Sequence, residues 1–348
     1  MKKNNIKLCV LLIVMSLLVM GCSSKSDEKR ELVISTWGLS EDVLWEDVYA
    51  PFEEEYNVKI VLDTGTTAER YNRLKNNPNS NIDVIELPQK GAADGYTDGL
   101  FEKLDYSKIT NAEHLIDGAK AMAESGYGPA FTLNSIGIIY DKEAVGFEIK
   151  EWSDLWKPEL ANSISIADIG TTFGPAMVVM ASDVAGVDYT TDNGEAGLKK
   201  LGELKPNIVR TYSKSSDLAV MFSTGEIKVA IVGDFGYPII KEAAPKVEYF
   251  VPQSGTYANF NTLDINVNSK NKDLAYLYIN WRIEKDIQLK TAETLNEAPV
   301  NSLVVLSEEL QANKTYGDVA QRAKALDYSI INPQYSKWVD DFNRLLNQ

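Results

Sequence analysis

An α/β fold in two lobes is what this sequence predicts, and three observations predict it. Short β-rich runs alternate with segments whose apolar residues recur at helical spacing, a pattern that argues for parallel sheets covered by helices. The stretch after residue 21 is longer than one compact core ordinarily organises. No internal repeat or low-complexity block interrupts it.

The first element is not part of the fold. Lys2, Lys3 and Lys7 precede an apolar run from Leu8 to Met20. At about 13 residues this run has the length of a secretory h-region and is shorter than the roughly 20 residues a bilayer-spanning helix needs. Residues 1–21 are therefore expected to be an export signal. Residues 22–30 are polar and lack periodicity, so they are expected to form a flexible tether. Folding should begin at Glu31. Leu32 to Trp37 is β-rich, Trp45 to Tyr56 carries helical spacing, and Val58 to Leu62 returns to strand character, which together make a βαβ unit. Further strands are expected at Ile82 to Leu87, Ile136 to Tyr140, Ser163 to Ala167, Val229 to Val232 and Val247 to Val251, with helices such as Pro175 to Ser182 and Asp217 to Ser223 between them. In sheets of this kind ligands collect beyond the carboxyl ends of the strands, so the residues just after each strand are the candidates for a site.

Composition removes several function classes. Beyond the signal there is one cysteine, Cys22, and one histidine, His114. Disulfides, thiolate or histidine-rich metal sites and Cys/His nucleophilic pairs therefore have almost no raw material. Neither Gly-x-Ser-x-Gly nor His-Glu-x-x-His occurs, so no enzyme activity, cofactor or metal is expected. The formal charge of −15 becomes more negative once the three signal lysines leave. Nucleic acid and anionic membrane surfaces are poor partners for such a chain. The same field would concentrate cationic solutes, although acidity also simply keeps exported proteins soluble.

Two resemblances add to this reading. Leu18-Val19-Met20-Gly21-Cys22 resembles a bacterial lipobox, in which the cysteine is lipidated and becomes the mature N-terminus. That implies an extracytoplasmic protein held on the membrane by acyl chains. Glu151-Trp152-Ser153-Asp154-Leu155-Trp156-Lys157-Pro158-Glu159 is similar to a segment of the type II bacterial solute-binding proteins of ABC importers, particularly their spermidine/putrescine-binding branch. Ser135 to Asp141, Leu204 to Asn207, Ser215 to Asp217 with Phe222 to Glu226, Thr256 to Thr262, Ser269 to Lys272 and Ala298 to Asn301 follow the same pattern in order. The resemblance implies the two-lobed periplasmic-binding-protein type II fold, a monomer that closes over one small solute and delivers it to permease subunits. On it, lobe 1 is expected to hold residues 31–137 plus 264–305, and lobe 2 residues 138–263 plus 306–348. Chain crossings are expected near Ile138 to Asp141, Thr262 to Asn266 and Asn301 to Leu306.

The resemblance also implies the site. Trp37 follows the first strand where the family places an aromatic wall, with a core tryptophan as the alternative. Asp168 falls at the position of an amine-binding aspartate, or is a turn residue ahead of Gly170. Thr171 and Thr172 stand where the family carries a glutamate, and with the helix start near Pro175 they suit an anionic group equally. Asn261 is nearest another family aspartate and keeps hydrogen bonding without charge; Asn259 lies two residues before it. Asp234 restores an acid after the strand from Val229, or is a turn aspartate between glycines. Phe235 and Tyr257 are candidate aromatic walls, and Gln89 and Asn134 candidate hydrogen-bonding residues. The expected solute is a small cationic or zwitterionic amine, polyamine-like. An opine, aminophosphonate or thiamine-like ligand, or a ligand-sensing ectodomain, remains the alternative. Adjacent permease and ATPase genes would favour import, and an adjacent sensor kinase would favour sensing.

The lipobox reading has a direct test. Cys22→Ser should release the protein from membranes, measured by detergent-phase partitioning; equal retention of variant and wild type would refute the anchor.

Overall fold

The computed structural model describes residues 29–346 apart from 39, 125, 127 and 296. The export signal, Cys22 and the tether through residue 28 lie outside the described residues. Among those residues no helix is long and apolar enough to cross a membrane.

The strands are β1 (Arg30–Thr36), β2 (Val58–Thr64), β3 (Val84–Pro88), β4 (Ala130–Tyr140), β5 (Ile164–Ala167), β6 (Ile208–Tyr212), β7 (Val229–Gly233), β8 (Glu248–Phe250), β9 (Thr256–Ile265) and β10 (Ala323–Ala325). They form one continuous sheet in the order β2-β1-β3-β9-β4-β7-β5-β6, with β8 on β4 and β10 on β9. Parallel pairs occupy both flanks: β1 with β2 and β3, and β5 with β6 and β7. Through the middle run the antiparallel strands β4 and β9. The expected βαβ start is present, although its helical part is Glu41–Leu44, a π-helical turn Trp45–Tyr49, and Ala50–Tyr56.

The two largest of four apolar cores among the described residues flank the middle strands. One gathers Leu32, Ile34, Phe52, Val84 and Tyr278; the other gathers Ile164, Ile166, Met177, Leu201, Val229 and Trp338. Strand β4 contributes to both, with Ala130, Phe131 and Leu133 in the first and Ile136, Ile138, Ile139 and Tyr140 in the second. Its partner changes at the same place: Ser135 is opposite Ala258 of β9, and Ile136 is opposite Gly233 of β7. Strand β9 divides likewise, Tyr257 packing in the second core and Ala258, Phe260, Leu263 and Ile265 in the first. The C-terminal helix Tyr328–Leu346 buries Tyr328, Ile331, Trp338 and Phe342 against the second core.

Two findings extend the sequence expectations. β4 begins six residues before Ile136, and β9 is a full strand rather than only a crossing. Both stretches place Asn and Thr among apolar residues at buried positions, with Ser135 in β4 as well, so neither shows the alternation of a half-buried strand. β4 approaches β9 closely at its start. A Cβ at Gly128 would lie 2.1 Å from the Leu263 carbonyl oxygen, so only glycine fits where the chain enters.

Asp264 in β9 is fully buried. It accepts hydrogen bonds from Thr262 Oγ1 at 2.7 Å and the Gly128 amide at 3.0 Å. Burial outweighs these bonds and pushes its carboxyl up to about 6. The folded chain then holds this proton more tightly than the unfolded chain, whose aspartate titrates near 3.9. The stabilisation from protonation is complete below about pH 4 and is lost as pH rises through about 6. That difference corresponds to about 2–3 kcal/mol. The thermal midpoint should therefore be higher at pH 5 than at pH 8, and Asp264→Asn should narrow that difference. The same pH dependence in both proteins would refute it.

Candidate ligand cleft

The place where β4 and β9 pass from one core to the other collects most of the sequence-predicted residues. Asn134 is opposite Asn259 in the β4–β9 register. Asp234 and Phe235 directly follow β7. Asp234 Oδ1 accepts from Asn134 Nδ2 at 3.2 Å. Asn134 Oδ1 accepts in turn from Asn261 Nδ2 at 3.3 Å, and Asn261 Oδ1 accepts from Asn259 Nδ2 at 2.9 Å. Asn259 is 2% exposed, and its Oδ1 is buried with no donor.

Asp234 is 1% exposed and well supplied with donors. Beyond Asn134, its Oδ1 accepts from the Phe235 amide at 2.9 Å, and its Oδ2 from the Thr315 amide at 3.0 Å and Thr315 Oγ1 at 2.6 Å. Thr315 Oγ1 also lies 2.7 Å from Ser135 Oγ. Desolvation raises the Asp234 carboxyl to about 6, against the pull of these hydrogen bonds. Lys314, beside it, is buried enough to lower its ammonium pKa, while Asp234 opposes that shift.

Gln89 stands at a gap in the sheet. β3 ends at Pro88 opposite Asn261, and β10 ends at Ala325 opposite Ala258. Because β4 holds the other edge of β9, these two ends bracket Asn259 and Phe260 on one edge. Gln89 Nε2 spans the gap to the Leu326 carbonyl at 3.1 Å. Its Oε1 is buried without a donor.

Trp37 is half-buried just beyond β1 and donates from Nε1 to Thr67 Oγ1 at 2.8 Å. The Arg70 guanidinium lies over its ring at 4.6 Å. Arg70, on the helix Thr67–Asn76, is fully buried; its Nη1 donates to the Ser35 and Glu86 carbonyls at 3.0 and 2.7 Å, and its Nη2 has no acceptor. Desolvation lowers its pKa to about 10, still cationic at neutral pH. Glu86, below it, is buried and accepts from Thr36 Oγ1 at 2.7 Å.

Asp168 is half-buried and closes its own turn. It accepts from the Gly170 amide at 3.0 Å and Thr211 Oγ1 at 3.4 Å, while its carbonyl accepts from Thr171 Oγ1 at 2.7 Å. Thr172 is half-buried in the same turn. The turn enters the helix Gly174–Val184, where a Cβ at Gly174 would sit 2.2 Å from the Ile169 carbonyl oxygen. Phe173 links it to Asp234's neighbour: its ring stacks on Phe235, which is 48% exposed, at 6.1 Å and 17°. Tyr335 links it to the first half, donating to the Ile169 carbonyl at 3.0 Å with Lys90 Nζ 4.3 Å above its ring.

Among the described residues no hydrogen bond joins Trp37, Asp168, Thr171 or Thr172 to the crossing amides, and Tyr257 also lies apart. The Tyr257 hydroxyl donates to Asp183 Oδ2 at 2.6 Å, and its ring packs beside Trp152. Two open cavities, of about 530 Å³ beside Tyr106 and Ile109 and about 380 Å³ beside Asp183 and Lys324, include none of the predicted residues.

Arg70, Thr315 and Tyr335 were not found by sequence reasoning. Arg70 sits on a helix of mostly polar residues, Thr315 in a loop without a motif, and Tyr335 beyond every segment that resembled the family. A crossing strand that carries Asn at alternate positions, as Asn259 and Asn261 do, was the one available signal that polar chemistry is built inward there. The arrangement offers unpartnered acceptor oxygens, a guanidinium and aromatic rings. Among the described residues no group of three His, Cys, Asp or Glu side chains could hold a metal.

Comparison with known proteins identifies the family and the fold. The spermidine/putrescine-binding periplasmic protein of Salmonella typhimurium is 27% identical over 287 residues, covering 78% of this chain and 79% of that protein. A crystal structure of an ABC transporter from Clostridium perfringens is 56% identical, with a TM-score of 0.85 over 91% of this chain and 100% of that one. A spermidine/putrescine ABC transporter substrate-binding protein from Streptococcus pneumoniae shares the fold at 20% identity, with a TM-score of 0.75 over 91% of this chain and 99% of its own. Residues 47–317 match the bacterial extracellular solute-binding protein family. The chain belongs to that family, whose members serve transport by binding a solute rather than by catalysis.

Proposed function

We propose that this chain captures a small amine-bearing solute outside the cytoplasmic membrane, held there by a lipid on Cys22, and passes it to the permease of an ABC importer. The observation that carries the solute class is the pair of buried acceptor oxygens without donors, Asn259 Oδ1 and Gln89 Oε1, at the crossing between the two cores. An ammonium group brings three N–H donors and no acceptor, the complement of such a pair. Trp37 and the Phe173–Phe235 stack offer apolar faces for the carbon chain between polar ends. The polyamine-binding relatives support the same class. On this reading the two cores are the two lobes, and they move about the points where β4 and β9 change core.

A second reading has its own observation. The unpartnered Nη2 of Arg70 is a cationic donor at the ends of β1 and β3, suited to a carboxylate. With the acceptor pair it describes a zwitterion, such as an amino acid or opine, rather than a diamine.

Calorimetry and small-angle scattering test both. Diamines or amino acids should bind and shrink the radius of gyration, because ligand contacts to both lobes pull the hinge equilibrium toward closure. Tighter binding of an amino acid than of a diamine of equal length selects the zwitterion. Binding only of solutes without an amino group overturns the amine assignment, and binding without compaction overturns the hinge.

A further inference from the structure

The hydrogen bonds at the crossing have a direction, and one residue sets it. An ionised carboxylate only accepts, so Asn134 must turn its NH2 toward Asp234. Asn134 then presents its oxygen to Asn261, Asn261 its oxygen to Asn259, and Asn259 is left with an oxygen facing no donor. None of the three amides can reverse alone without setting oxygen against oxygen. Chains of this kind polarise in one sense, so the negative charge of Asp234 is expressed at Asn259 Oδ1. Asp234 itself keeps its own oxygens for Asn134, the Phe235 amide and Thr315.

We infer that Asp234, Asn134, Asn261 and Asn259 form an amide relay by which a buried carboxylate, out of contact with the solute, prepares Asn259 Oδ1 to receive the solute's ammonium. Asp234 is thus a positioning residue, and Asn259, helped by Gln89 Oε1 at the neighbouring strand gap, is the specificity-determining contact. The relay selects an N–H donor over a carboxylate or phosphonate at this end of the cleft, because every group in it is locked with its oxygen forward. It also explains how a cleft whose predicted acids are both engaged elsewhere can favour an amine: the charge is delivered through amide dipoles. The inference rests on the amine reading above.

The test uses the mature protein with 1,4-diaminobutane and 4-aminobutanoate as probes in calorimetry, and the ligand-free thermal midpoint as control. Asn259→Leu should weaken the better probe at least about tenfold, the scale of one charge-assisted hydrogen bond. Asn261→Leu, which cuts the relay without touching either end, should weaken it comparably. Asp234→Asn removes the direction of the chain and should do the same. Adding Asn259→Asp to Asp234→Asn should restore binding, since a carboxylate at 259 needs no relay; a merely structural loss at Asp234 would not be rescued from 259. Amine binding unchanged in Asn261→Leu, or not restored in the double variant, overturns the relay while leaving the amine assignment standing. Wild type that binds neither probe overturns both.

Discussion

The antiparallel pair of β4 and β9 is the constraint on which the rest depends. Each strand belongs to both apolar cores, so each is anchored at both ends by burial while its backbone hydrogen bonds continue through the crossing. Side chains there are held in a fixed register: Asn134 is opposite Asn259, and Asn261 is opposite Pro88 on the other edge. A polar group at such a position cannot reach water by a local rotation. It must find its partners within the protein or in a bound solute. That is why the crossing, rather than either lobe's outer surface, gathers the amides.

Burial also decides which groups carry charge. Two buried aspartates, Asp234 at the crossing and Asp264 near the far end of β9, have carboxyls raised to about 6, and both are nonetheless held by donors. Asp264 ties β9 to the entry of β4 and is structural. Asp234 joins a loop from the far side of the sequence, through Thr315, to the end of β7 and to β4. The cleft thus has little bare carboxylate at its centre. On the proposed reading, the polar groups offered to a solute are amide oxygens at the crossing and the Arg70 guanidinium, stacked on Trp37.

Much of the fold was legible in the sequence because most strands are short and apolar and sit in βαβ order. Leu32 to Trp37, Val58 to Leu62, Ser163 to Ala167 and Val229 to Val232 all lie on or within a residue of observed strands. β9 escaped because its buried positions include Thr256, Asn259 and Thr262, whose partners lie on other elements and cannot be counted from local pattern. The site divides in the same way. Asn134, Asn259, Asn261 and Asp234 were reachable from strand ends and family resemblance, and the structure joins them by hydrogen bonds. Tyr257 was equally plausible in sequence, yet its hydroxyl is engaged by Asp183, because residue parity on a strand says which face a side chain takes but not what the opposite element brings. Arg70 and Thr315 act through contacts with residues distant in sequence, which no single-chain pattern encodes.

The unpartnered acceptors connect this chemistry to motion. A buried acceptor without a donor costs about 1–3 kcal/mol, and Asn259 Oδ1 and Gln89 Oε1 are two of them. Leaving both empty would therefore disfavour the enclosed arrangement by about 2–6 kcal/mol. Inverting a two-state equilibrium from 1:99 to 99:1 takes about 5.5 kcal/mol of differential binding, so the two quantities are of the same size. A solute that supplies donors removes the cost and adds its own contacts only when the site is enclosed. A solute of the right shape without donors fills the space and leaves the cost in place. Closure on this reading discriminates by chemistry before shape: the enclosed state becomes stable only when an N–H donor completes the hydrogen bonds that begin at Asp234.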